Sequence, residues 1–158
     1  MRNYRLFLLL AFVWITASGC SQEDDKVNIL FFSELSADAE RDIRSVIPEE
    51  AETVQLAFYP FHHEKLMVEL AGKTGDLFLV PQEEVANLID PVAFTKLTDV
   101  AADDSSVDAF KREDPDTGNV HVYAIPISAG TEKPLAAFIP NYSEDKEKAL
   151  AILKALAN

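Results

Sequence analysis

An α/β fold, with helices on both faces of a mainly parallel sheet, is predicted by three features of this sequence. Residues 27–32 (VNILFF) and 76–80 (DLFLV) are short apolar runs, almost free of polar interruption. Such runs suit strands buried on both faces, as parallel strands are. Strand-like and helix-like segments alternate three times in succession, the pattern of a three-layer core built from successive β-α units. An edge strand and a C-terminal helix complete the expected sheet and its cover.

The elements follow in order. After the first strand, Ser36 is placed to cap a helix whose apolar stripe is Ala39, Ile43, Val46 and Ile47, with Pro48 ending it. Residues 53–59 (TVQLAFY) alternate toward a second strand, which Pro60 breaks. Residues 61–73 form a second helix, with Leu66, Met67, Leu70 and Ala71 on its apolar side and Gly72 or Gly75 closing it. The strand at 76–80 leads into a third helix that starts at Pro81. Glu83 and Glu84 occupy its first turn, where the helix dipole favours acids, and it runs to Asp90-Pro91.

The pattern then loosens. Residues 94–110 carry scattered apolar positions around an acidic centre at 102–106, and 113–119 (EDPDTGN) is a strong turn signal. Two strands follow, 121–127 (HVYAIPI) and 135–139 (LAAFI), with Pro126 marking the first as an edge strand. The last helix is expected from Ser143, with Ala149, Ile152, Leu153 and Leu156 on one face.

The N-terminus reads as an address. Arg2 and Arg5 precede a charge-free run at 6–17, then Ser18, Gly19 and the single cysteine, Cys20. A basic flank, a short apolar run and small residues describe a secretory signal, and the run is too short for the roughly 20 residues a spanning helix needs. Residues 17–20 (ASGC) resemble the lipobox of bacterial lipoproteins, with Ala17 where Leu is commoner. That resemblance implies cleavage before Cys20 and diacylation of its thiol. Ordinary secretion, with cleavage near Ala17 or Gly19, and an uncleaved anchor are the alternatives.

The implied organisation is a signal peptide at 1–19, an acidic tether at 20–26 and a single α/β domain at 27–158. Two acyl chains anchor stably where one is marginal. The protein is therefore expected on a cell membrane, lipid-anchored and facing outside the cytoplasm, with membrane lipid as its partner through Cys20. With Arg2 and Arg5 in the leader, the rest carries 12 basic against 27 acidic residues. Such an excess disfavours nucleic acid. With no cysteine beyond Cys20, disulfides and zinc-thiolate sites are excluded. Trp14, the only tryptophan, lies in the leader.

Several segments of the domain resemble extracellular solute-binding lipoproteins, transporter partners with the type II periplasmic-binding fold. Residues 75–80 (GDLFLV), 88–90 (LID) and 94–100 (FTKLTDV) are similar to that family's "-PDV-" strand, helix and "-G-L-x-P-L-D-" connection. Residues 122–128 (VYAIPIS) match its "-V-Y-G-I-P-" strand. The stretch 135–156, with Phe138-Ile139-Pro140 and Lys146-Glu147-Lys148-Ala149, is similar to its later "-A-I-P-x-x-S-K-N-K-E-A-A-" segment. The family's second lobe would fall between the last two, where only 129–134 stand here. The resemblance thus implies a single lobe, without the closing partner that buries most of a bound ligand.

Ligands of open α/β sheets sit at the carboxyl ends of the strands. The loops there would gather Ser33, Glu34, Tyr59, His62, Gln82 and Ser128 as candidate ligand-binding residues, suited to a sugar, a peptide or a partner protein. The same residues also serve as ordinary turn and cap positions. His62-His63-Glu64 lacks the spacing of a metal motif, and His62 with His121 would need the fold to join them. No G-x-S-x-G elbow or phosphate loop is present. The expected role is binding without catalysis, cofactor or resident metal. It would act either on a small solute or, as the alternative, as a scaffold that contacts a membrane protein.

Overall fold

A computed structural model describes residues 26–47, 54–101, 105–128 and 133–157. The leader, Cys20, most of the tether, Pro48, the acidic centre at 102–104 and the loop at 129–132 lie outside the described residues.

A five-stranded sheet forms the centre, in the order β2-β1-β3-β7-β6. Its strands are β1 (Val27–Phe32), β2 (Val54–Tyr59), β3 (Leu77–Pro81), β6 (Ile125–Ile127) and β7 (Leu135–Phe138). β1 pairs in parallel with β2 and β3, whereas β7 runs antiparallel to both β3 and β6. Four strands therefore share one direction and finish at one edge, the rim. Their starting edge lies opposite.

Helices cover both faces. On one face Phe31 stacks on Phe58 at 4.9 Å, with the Arg44 guanidinium of α1 (Ala37–Val46) 5.3 Å above Phe58. α4 (Lys146–Ala157) lies on this side, burying Ala149, Ile152 and Leu153 as its spacing requires. The other face carries α2 (His63–Gly72) and α3 (Gln82–Leu88). Beneath them, Tyr59, Phe32, Phe78, Phe138 and Phe94 form a chain of rings with centroid separations of 5.5, 6.3, 5.3 and 4.3 Å. Each such pair adds about 0.5–1.5 kcal/mol beyond its buried area.

Four expectations need correction. The segment 121–127 is not one strand: β5 (Val120–Val122) pairs with β4 (Lys111–Glu113) in a separate hairpin, and only β6 joins the main sheet. Tyr123 and Ala124, both buried, form the step between sheets. Ser143 does not cap α4, because its hydroxyl donates to Asp76 Oδ1 at 2.9 Å and the helix begins at Lys146. Neither Gly72 nor Gly75 closes α2. Lys73 does so in the left-handed region at φ 54°, with the Lys73 and Thr74 N–H groups reaching Leu70 O and Glu69 O. Gly75 serves packing, since a Cβ there would meet Leu30 and Phe78 at 2.8 Å. Val46 leaves the α1 stripe and is 47% exposed. Ser36 caps α1 as expected, accepting from Ala39 N at 3.2 Å.

Candidate functional site

Because β1, β2, β3 and β6 finish together, all six candidate ligand residues stand along the rim. They form two groups rather than one. Tyr59 and His62 follow β2 and Ser33 and Glu34 follow β1, on adjacent strands. Ser128 follows β6, at the far side of the sheet. Four strand spacings of about 4.8 Å put it roughly 19 Å from the β2 end, beyond the reach of one small ligand.

The β2 side carries a fixed cation. The Lys65 ammonium sits 4.7 Å from the Tyr59 ring centroid and pairs with the buried carboxylate of Glu69, which also accepts the Thr74 hydroxyl. Those two bonds hold Glu69 below the ordinary carboxylate value, and the Glu69 bond raises Lys65. His62 is exposed and extended at the start of α2, and its side chain makes no cap bond.

Gln82 is committed to the fold. Its Nε2 donates to Leu135 O at 3.1 Å and its N–H to Pro134 O at 3.0 Å, so it ties the β3–α3 turn to the start of β7. That use could not be found from sequence, because the partner lies 53 residues away.

The concavity lies on the Ser128 side. A cleft of about 480 Å³ runs between α1 and α4, with Ser36, Asp38 and Asp42 along one wall and Ile127, Ala155 and Leu156 opposite. Ser128, which is exposed, also lines it. Asp38 pairs with Arg41 at 3.0 Å. Asp38 and Asp42 were absent from the sequence-derived set, although their i, i+4 spacing places both on one side of a helix. A second cleft, about 620 Å³, lies beyond α4 and shares Ser128.

His62 and His121 do not meet. His62 is at the rim, while His121 lies in the hairpin with Nδ1 3.2 Å from Thr98 Oγ1. Among the described residues no group of three or more His, Cys, Asp or Glu is arranged to hold a metal ion.

No protein-family model matches the chain. It is 28% identical over 149 residues to "Putative lipoprotein YteS" of Bacillus subtilis (strain 168), an alignment covering 88% of this chain and 87% of that one. That likeness supports a bacterial lipoprotein with an extracytoplasmic, membrane-anchored location. No helix among the described residues is long and apolar enough to cross a membrane. Among solved structures, full-length OxyR C199D from Pseudomonas aeruginosa aligns at a TM-score of 0.38 and 9% identity. That alignment covers 98% of this chain and 74% of the other, and the score is too low to define a common fold.

Proposed function

We propose that this lipoprotein is a non-catalytic binding protein, a one-lobed relative of solute-binding lipoproteins, whose ligand enters the cleft between α1 and α4. One observation carries the reading: the cleft opens where co-directional strands end, the usual ligand position in open α/β sheets. Its volume of about 480 Å³ falls in the range of small-molecule sites. Ser36, Asp38, Asp42 and Ser128 supply polar contacts, and Ile43, Ile127 and Leu156 supply apolar ones. Sheet order supports the kinship, since β1 leads outward to β2 and the chain then crosses to β3, which puts the switch point beside Ser33 and Gln82.

A thermal-shift screen with neutral sugars and short peptides tests the reading. At least one class is expected to raise the melting temperature. Ser128→Trp, which puts a bulky ring on the cleft lining, is expected to remove that gain without changing the unliganded melting temperature. No shift with either class would overturn small-ligand binding and favour a scaffold lipoprotein that contacts a membrane protein.

A further inference from the structure

Another concavity lies at the opposite, starting edge of the sheet. An apolar groove of about 360 Å³ runs between α2 and α3, lined chiefly by Met67, Leu70, Leu88, Phe94, Pro140 and Tyr142. Met67 is 42% exposed, and Val92, on the neighbouring turn, is 70% exposed. Exposed apolar surface gathered around a groove marks an interaction site more often than scattered residues do.

The path of the chain indicates what this groove meets. Ser143, next to Tyr142, donates to Asp76 Oδ1 at 2.9 Å, and Asp76 Oδ2 accepts the Asn28 N–H at 2.9 Å. The Tyr142 end of the groove therefore lies at the edge where β1 begins. Between Cys20 and Val27 a fully extended chain reaches at most about 25 Å. A lipid on Cys20 thus joins the domain at this edge, with the rim one strand length farther from the attachment point. Such a short link keeps two weakly interacting surfaces at high effective concentration.

We infer that the starting edge is the membrane-facing side of the domain, with the groove between α2 and α3 seated against acyl chains of the bilayer. The rim and its cleft then point away from the membrane. This orientation rests on acylation of Cys20 and does not depend on what the cleft binds.

The mature chain lacks tryptophan, so one introduced indole reports without background. The test uses the cleaved, acylated protein that begins at Cys20, carrying Val92→Trp, on vesicles of phosphatidylethanolamine and phosphatidylglycerol that contain a shallow doxyl-labelled lipid. Trp emission at 92 is expected to shift blue and to be quenched several-fold more than emission from Glu34→Trp at the rim. Met67→Trp is expected to behave like Val92→Trp and substitutes for it if that variant misfolds. Equal quenching at both edges would overturn the inference. So would a blue-shifted but unquenched indole at 92, which would put the protein's own acyl chain or a protein surface in the groove. Failure of the acylated protein to float with the vesicles would overturn it together with the anchoring reading.

Discussion

The Asp76 carboxylate joins the beginning and the end of the domain: Oδ1 accepts the Ser143 hydroxyl at 2.9 Å across 67 residues of sequence. Its other oxygen accepts the Asn28 N–H at 2.9 Å, so β1, β3 and the approach to α4 share one residue. Removing that carboxylate leaves a partly buried backbone donor without its partner. Asp76→Ala is expected to cost about 1–3 kcal/mol and Ser143→Ala about 0.5–1.5 kcal/mol in denaturant unfolding. The double variant should cost less than their sum, because the singles remove one shared bond.

Gly75 and Gly72 are expected to respond oppositely to alanine. At Gly75 the new Cβ meets Leu30 and Phe78 at 2.8 Å in the core, and overpacking of this kind costs about 1–3 kcal/mol. At Gly72, in the last turn of α2, the nearest atom is the Thr74 methyl at 3.3 Å. Helix propensity there favours Ala by up to about 1 kcal/mol, so Gly72→Ala should be neutral or stabilising in the same assay.

Acid should weaken the hairpin. The Lys96 ammonium, then the Thr117 and Asp116 N–H groups, holds the Asp114 carboxyl well below its ordinary value. Its contribution is complete above the unfolded carboxylate value of about 4 and drains as pH falls toward the lower folded value. Melting temperature should therefore fall on acidification in that window. Asp114→Asn should lower it at neutral pH and flatten its acid dependence.

At alkaline pH the corresponding residue is Tyr142. Burial, then the nearby Asp76 carboxylate, pushes its hydroxyl up to about 12. The folded state resists this ionisation, so the stability it confers is present below the ordinary tyrosine value near 10 and is lost as pH rises toward about 12. Tyrosinate absorbance should show a late component. Tyr142→Phe should reduce it, leaving the contribution of Tyr123, which burial also raises, and should lessen the alkaline loss of melting temperature.

What could be read from sequence follows from how locally each element is encoded. The apolar runs of β1 and β3 and the Ser36 cap carry their own signals within a few residues. Strand direction does not. Nothing in 135–139 distinguishes an antiparallel β7 from a parallel one, and the break at Tyr123-Ala124 depends on Val122 pairing with Lys111 while Ile127 pairs with Leu135. Lys73 holds a left-handed cap that local preference assigns to glycine, whereas Gly75 is required by the close approach of Leu30 and Phe78.

The rim residues were legible because strands joined by helical crossovers run parallel, so their carboxyl ends fall at one edge. The cleft was not. Asp38 and Asp42 become its wall only once α4 returns beside α1.

Membrane fractionation of the wild-type protein and Cys20→Ala, with labelling by an alkyne fatty acid, tests the anchoring most directly. The wild type is expected in the membrane fraction with the label on Cys20, and Cys20→Ala unlabelled and released in soluble form. An unlabelled wild type, or Cys20→Ala that stays with the membrane, would contradict the lipid anchor and the orientation built on it.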